Sequence, residues 1–544
     1  MTFWKPNTYT SRRVRFSHMN GNTSYDVIIN GGGPVGMGLA IDLGLRGHHV
    51  AVVEKYQTPQ PIPKGQNLTQ RTVEHFHSWG CDAALHSAHP LPPNSGIGGM
   101  TSYGTLLSGL NYDWLNRAKV APFYAQPNAR LPQYKTEQVL RDRARSIANI
   151  DLYLGYEAVD LTQDDRSATL TIKERGSLAL KNITADYLVG ADGSKSFVRT
   201  KAEIPEVLSE HNRMMALVVF TSTHLHELLK VYPGKAFYNV LHPDFQGYWQ
   251  FFGRVDHGTN WFFHAPVPLG TTKKNHDFVA MLHSAVGQKF ELELDYVGFW
   301  DLRVAVAKTY SKGRIFLAGD AAHSHPPYGG YGINTGLEDV RNLGWKLSAC
   351  LKGWASALLL DSYDAERRPV FQSTAADFIE KFIADDHDFL SNFTPENCPD
   401  FRKMWQNRNE NADEVMRFEP NYQGSSIVAP ASGRPSAKGF HSHHAKAGHH
   451  LSPQLCADMS SIYDHLGRDF SLLTDGSDQD LIANYRQAAT DLGLPLKVID
   501  TLSPQAVAAY ETQVILVRPD HFVTSTGNRI KARDAFCRAI GQAH

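Results

Sequence analysis

Three carboxylates stand where short apolar runs end: Glu54, Asp192 and Asp320, each beside or shortly after glycines. A strand-terminal carboxylate can accept hydrogen bonds from sugar-like hydroxyls, and glycines let backbone N–H groups at a helix start approach an electron-rich ring. Three such acids along the strand ends of one sheet are what a dinucleotide lying across that edge needs. Asp320 is the most informative. It follows the apolar run 314–318 and opens the stretch Gly319-Asp320-Ala321-Ala322-His323, which continues through Pro326-Pro327-Tyr328-Gly329-Gly330-Tyr331-Gly332-Ile333-Asn334. Helical apolar spacing over 337–347 follows it. Strand, acid, glycine-rich turn and helix in that order are the chemistry with which a protein holds a flavin.

The elements that must position these acids are legible on either side. Residues 25–30 read as a buried strand, Gly31-Gly32-Gly33-Pro34-Val35-Gly36 follows directly, and 37–46 is a helical run closed by Gly47. A second strand, 49–53, ends on Glu54. This is the β-α-β dinucleotide fingerprint, with Gly31 for the tight turn, Gly33 for close approach to a pyrophosphate, Gly36 for helix packing and Glu54 for ribose hydroxyls. Residues 64–74 form a polar loop entering a helix, 82–129 an irregular excursion, and 135–148 an amphipathic helix. Strands return over 150–172, and the apolar strand 185–189 ends on Gly190-Ala191-Asp192-Gly193. From 214 to 268 alternation and aromatic density, as in Tyr248-Trp249-Gln250-Phe251-Phe252, predict an antiparallel sheet with one covered face, able to floor a pocket for a flat aromatic molecule.

Bulk properties narrow the class. With 544 residues the chain suggests about three domains. Hydrophobic residues make up 42%, charged ones 20%, and the formal net charge of -1 gives no electrostatic reason to expect nucleic acid or a membrane surface as partner. Five cysteines without a C-x-x-C pair predict free thiols in a reducing compartment. Neither a secretory signal nor a membrane span is legible, which predicts a cytoplasmic protein with a loose N-terminal arm over 1–24. Five histidines between 441 and 450 lack partners at metal-ligand spacing, so no metal site is expected. Residues after 368 read as helical to about 418. The last hundred read β-α-β-β-α, a small α/β unit of their own.

The three motifs in combination resemble the single-component flavoprotein monooxygenases of the phenol hydroxylase and p-hydroxybenzoate hydroxylase group, over about residues 25–375. The resemblance implies an α/β fold: a Rossmann-type FAD-binding domain (25–200 and 297–430), an inserted mixed antiparallel substrate sheet (201–296 with part of 82–130), and a thioredoxin-like C-terminal domain (431–544). Gly31, Gly33, Gly36 and Glu54 would hold the adenosine half of FAD, with Pro34, Val35 and Lys55 beside them. Gln133 matches the P-Q-x-x-x-E glutamine that contacts the cofactor, and Arg71 lies in the R-T-x-E segment. Asp192 matches the acid linked to both FAD and the nicotinamide donor. Gly319 and Asp320 match the G-D motif at the ribityl chain, Gly332, Ile333 and Asn334 the pyrimidine edge, and Pro327 the proline facing the substrate. Gln66 stands where phenol hydroxylase carries an aspartate.

The implied chemistry is reduction of FAD by NADH or NADPH, followed by O2 and oxygen transfer from a flavin C4a-hydroperoxide to a phenolic or hydroxylated heteroaromatic ring. Tyr238, His242 and His257 are candidate bases on the aromatic sheet. The resemblance also implies a homodimer, and the lack of C-x-x-C in the tail argues for a structural role there. Two rival enzyme readings on the same fold are a flavin halogenase, against which the chain lacks a W-x-W-x-I-P segment, and a flavin dehydrogenase. A flavin-fold protein that binds without chemistry is the third alternative.

Overall fold

The computed structural model describes residues 23–91, 95–411, 414–430, 432–527 and 530–542, so most of the expected N-terminal arm lies outside the described residues. Its first sheet is built from runs of Val, Ile and Leu that are buried on both faces, as parallel strands covered by helices must be. Four of its parallel strands are Thr23–Asn30, Val50–Glu54, Ile150–Leu154 and Leu180–Gly190, and Ile315–Leu317 is the fifth. Thr23–Asn30 sits at the centre, paired with Val50–Glu54 on one side and Leu180–Gly190 on the other. Ile315–Leu317 adds beyond Leu180–Gly190.

This register brings the three acids together. Asn30 pairs with Val53 and with Gly190, and Gly190 pairs with Leu317, so the turns after all four residues open on the same edge. The chain leaves the central strand in opposite directions there, which makes a crevice at a topological switch point. Two helices flank it. Pro34–Leu45 starts at the glycine turn, and Tyr331–Lys352, preceded by its N-cap Gly330, starts six residues earlier than the apolar spacing alone indicated.

A second, eight-stranded sheet stands over that crevice. Its strands run in the order His323–Ser324, Glu293–Ala307, Glu206–Thr221, Asn260–Val267, Trp249–Arg254, Lys235–Leu241, Gly98–Tyr103 and Asn111–Trp114. The last two strands come from the segment read as an irregular excursion; Gly and Ser hide the strand pattern there. The strand Glu293–Ala307 carries the sheet past residue 296. Alternation splits the aromatic residues by face: Phe252, Trp261 and Phe263 pack with Phe278 and Leu282 of the helix Phe278–Val286, while Phe251, Phe262 and His264 face the crevice.

The tail forms a four-stranded sheet in the order Leu496–Ile499, Phe470–Thr474, Val514–Val517, Val523–Thr526, with one parallel and two antiparallel pairings. The β-α-β-β-α reading omits the helix Pro504–Tyr510 and the strand Val523–Thr526, each short enough to pass for loop. The histidine run docks this unit on the first sheet's domain: His450 Nε2 lies 2.9 Å from Glu74 and 2.8 Å from the Tyr463 hydroxyl, and His449 is 3.0 Å from Glu419. All five cysteines are free. Among the described residues no helix is long and apolar enough to cross a membrane.

Candidate active site

Between the two sheets lies a cavity of about 720 Å³. One end is lined by Gly31, Gly33, Pro34, Val35, Glu54 and Lys55, the middle by Asp192, Asp320, Gly332 and Ile333, and the other end by Trp114, Arg130, Phe237, Phe251, Phe262 and His264. Gln66, Gln133 and Pro327 also reach it.

The glycine turn is shaped for a ligand. Gly31 has φ +116, and a Cβ there would meet Ala191 O at 2.2 Å; a Cβ on Gly36 would meet Gly31 O at 1.9 Å. These two glycines pack backbone on backbone. Gly33 differs, because a Cβ there would meet nothing within 4 Å and would project into open space. It is also the N-cap of Pro34–Leu45 and offers no side-chain cap, so the helix start is left for an anion. Glu54 is held in place by accepting from the N–H of Gly32 at 2.7 Å and of Tyr56 at 2.8 Å.

Asp192 and Asp320 are set up differently. Asp192 accepts from the Ser196 hydroxyl at 2.5 Å, the Asn30 amide at 2.9 Å and the Val198 N–H at 3.1 Å. Burial raises its pKa despite these bonds. It fixes its loop as much as it faces the cavity. Asp320 has no hydrogen-bond partner among the described residues and opens into the cavity, where desolvation by the surrounding walls raises its pKa. A carboxylate left without donors in such a place fits the hydroxyls of a polyol chain. Its turn is fixed from behind by Asp339, which accepts from Gly319 N–H at 3.0 Å, His323 Nε2 at 2.6 Å and Arg367 Nε at 2.7 Å. His323 and Arg367 hold the Asp339 pKa down against the cost of burial.

The helix Tyr331–Lys352 begins from Gly329 (φ +64) and Gly330 (φ +69) without a side-chain cap, and its first turn, Gly332 and Ile333, lines the cavity. The positive end of its dipole is therefore directed at whatever lies there. An unpartnered acceptor, two uncapped helix starts and a glycine facing open space together fit FAD, which when bound supplies reducing equivalents and O2 activation.

Several expected residues stand elsewhere. Gly36 and Gly319 lie behind the wall as packing residues. Asn334 spends its amide on Asn67 O (2.9 Å), Gly330 O (2.6 Å), Thr69 N–H (2.9 Å) and Thr72 Oγ1 (2.6 Å), so it ties the polar loop to the helix start and does not line the cavity. Arg71 points away, into Glu338 at 3.0 Å, Glu74 at 3.1 Å and the carbonyl of Asp520 at 2.5 Å, clamping the C-terminal unit. The three candidate bases are also absent from the cavity wall. Tyr238 is on the covered face of the sheet, donating to Lys235 O at 3.0 Å and accepting from Arg254 Nε at 3.1 Å. His242 caps the turn Pro243–Phe245 by accepting from Asp244 N–H at 3.2 Å, and His257 stacks beside His226 outside the cavity.

Beside Gln66, which the sequence reading named, the cavity brings in Arg141, His264, Arg130 and Asn67, which it missed. Arg141 donates to Gln57 O at 3.1 Å behind the glycine turn. His264, 4% exposed, has an unpartnered Nε2, and desolvation brings its pKa down to about 3, so it is neutral. Arg130 and Asn67 face each other in a two-strand ribbon too short for periodicity to reveal. Gln66, 5% exposed, precedes that ribbon with neither amide atom partnered.

Comparison with known proteins agrees with this geometry. The family model described as "FAD binding domain" matches residues 24–377. The chain belongs to that family, and within it is an FAD-dependent aromatic monooxygenase. It is 29% identical over 91% of its length, and 93% of the relative's, to a 4-methyl-5-nitrocatechol 5-monooxygenase of a Burkholderia species. It is 34% identical over 63% of its length, and 66% of the relative's, to an uncharacterized aromatic compound monooxygenase of Bacillus subtilis. Among solved structures, the substrate-free rebeccamycin biosynthetic enzyme RebC superposes with TM-score 0.79 at 26% identity, covering 96% of this chain and all 100% of that one.

Proposed function

We propose that this chain hydroxylates a small phenolic or hydroxylated heteroaromatic molecule, with FAD held along the strand ends and the substrate against the aromatic face of the second sheet. The observation that carries this reading is the continuity of the two halves in one cavity, from Gly33 and Glu54 through Asp320 to Phe251 and Phe262. Gly31, Gly33 and Glu54 hold the adenosine half, Asp320 the ribityl chain, and the uncapped first turn at Gly332 and Ile333 stabilises negative charge on the flavin. Pro327, Gln66 and His264 border the space left for the ring. His264 is neutral, so its unpartnered ring nitrogen can hydrogen-bond a ring hydroxyl without repelling the Arg130 cation. The aromatic walls exclude water from the reacting pair. The nitrocatechol named for the Burkholderia relative supports a small substituted phenol as substrate.

The remaining assignments follow the same reading: NADH or NADPH as reductant, a cytoplasmic location, and a homodimer. The tail is read as a thioredoxin-like unit on the strength of its sheet order and pairing directions, without redox function. The test is to purify the protein with its flavin, follow reduction by NADH and NADPH in the presence of phenols and hydroxypyridines, and identify products by mass spectrometry. A ring compound that accelerates reduction and gains one oxygen atom supports the proposal. Flavin reduction insensitive to every ring compound, with peroxide as the sole oxygen product, favours the dehydrogenase alternative.

A further inference from the structure

Arg130 is 3% exposed and lies at the aromatic end of the cavity. Among the described residues its Nε and Nη2 have no hydrogen-bond partner and no carboxylate forms an ion pair with it. One face of the guanidinium is covered by the Phe237 ring, 4.5 Å from its centroid, which leaves the N–H edge as the part still seeking a partner. Burial brings its pKa down to about 9, which still leaves it charged at neutral pH. A buried cation without a counter-charge is costly, and proteins keep one where something else supplies the anion.

The surroundings say which half of the cavity that anion belongs to. Arg130 touches the second sheet: Phe237 underlies it, and a Cβ on Gly253 would meet its Nη2 at 2.9 Å. The facing strand puts Asn67 opposite it, with an unpartnered Nδ2, and Gln66 just before, with both amide atoms unpartnered. Three polar side chains of one ribbon thus line the same cavity while keeping buried polar atoms unpartnered among the described residues, against a wall rich in aromatic rings. A neutral hydrocarbon ring would leave all of them unsatisfied.

We infer that Arg130, aided by Gln66 and Asn67, is the docking point for an anionic oxygen group carried on the aromatic substrate, and so selects ionised over neutral rings. The inference rests on the proposed reading of this end of the cavity as the ring site. A ring carboxylate and an ionised ring hydroxyl share the required chemistry: a planar or single oxygen anion that accepts from the guanidinium edge.

The experiment measures dissociation constants on the FAD-loaded protein by isothermal titration calorimetry, for two matched pairs: benzoate against benzamide, and para-nitrophenol above its pKa against para-nitroanisole. Wild type is expected to prefer the anionic member of at least one pair by about ten- to a hundredfold, the range of a charge-assisted hydrogen bond. Which pair shows the preference identifies carboxylate or phenolate. R130M is expected to abolish the preference, leave the neutral member's binding and the FAD dissociation constant unchanged, and keep or raise the melting temperature of the flavin-free protein. Anion preference that survives in R130M, or is missing from wild type while both neutral rings bind, overturns the inference and leaves the hydroxylase reading intact. Weakened FAD binding in R130M with ring preference unchanged reassigns the guanidinium to the flavin. Failure of all four compounds to bind overturns the ring-site reading and the inference with it.

Discussion

Gly33→Ala separates a residue that shapes the fold from one that shapes the ligand's space. Gly33 has φ -73 and ψ -175, a backbone conformation that alanine adopts freely, and the added methyl group would meet no protein atom within 4 Å. In the flavin-free protein the substitution therefore creates no clash. The entropy gained by restricting the unfolded chain, about 0.4–1 kcal/mol, is offset by the poorer N-cap that alanine makes. The expected change in melting temperature is close to zero. The bound state is different, because the methyl group would occupy space that the pyrophosphate needs against the helix start. Forcing a methyl-sized group into a well-packed contact costs about 1–3 kcal/mol, or roughly five- to a hundredfold in FAD affinity. Differential scanning fluorimetry of the flavin-free protein and a fluorescence titration with FAD read the two effects separately. Gly36→Ala is the control: its Cβ would meet Gly31 O at 1.9 Å, so it lowers the melting temperature itself. Wild-type FAD affinity in the Gly33 variant, or a large loss of flavin-free stability, refutes the placement of the pyrophosphate.

Asp320→Ala should weaken FAD by about ten- to a hundredfold, the value of hydrogen bonds to a charged acceptor, without lowering the flavin-free melting temperature, because among the described residues the carboxylate has no donors to lose. A stability loss on calorimetry would show that it serves the fold. Arg71→Met should do the reverse: it removes the one guanidinium shared by Glu338 and Glu74, leaving them His75 and His450, and should cost up to about 3–5 kcal/mol in denaturant unfolding as a broken buried pair does, while FAD affinity of the folded fraction stays near wild type. Loss of FAD affinity with unchanged stability would return Arg71 to the cofactor. Glu414 accepts from the Tyr331 hydroxyl at 2.5 Å, and burial raises its pKa from 4.5 to about 7. Since the folded pKa exceeds the unfolded one, the unfolded chain loses this proton first, and stability falls as pH rises from about 4.5 to about 7, by about 3 kcal/mol at 1.36 kcal/mol per unit. Glu414→Gln should remove that part of the slope in urea unfolding at the two ends of the window; an unchanged slope refutes the assignment.

What could be read from the sequence depended on whether the signal was local. Gly31, Gly33, Glu54 and Asp320 announce themselves because a strand, a glycine turn and an acid follow one another within a few residues, and parallel pairing then aligns their ends with no further information. The aromatic sheet was legible for the same reason, as alternation along single strands. Which face of that sheet meets the cavity was not, since it depends on the helix Phe278–Val286 covering the other side; Tyr238 was therefore named as a candidate base and His264 was not. Arg71 and Asn334 show a related gap. Both sit one or two side chains from the cavity, and motif position cannot say whether a guanidinium or amide turns toward a ligand or toward Glu338 and Thr69. Arg130 carried the least local signal of all: a lone arginine at the end of an irregular segment acquires meaning only when Asn67, far earlier in the chain, pairs with it and no acid among the described residues neutralises it. The cofactor end of this site is thus written in contiguous motifs, whereas the substrate end is written in pairings between distant segments. Substrate choice must then be sought in residues such as Arg130 and His264, which the fold assembles and no single stretch of sequence contains.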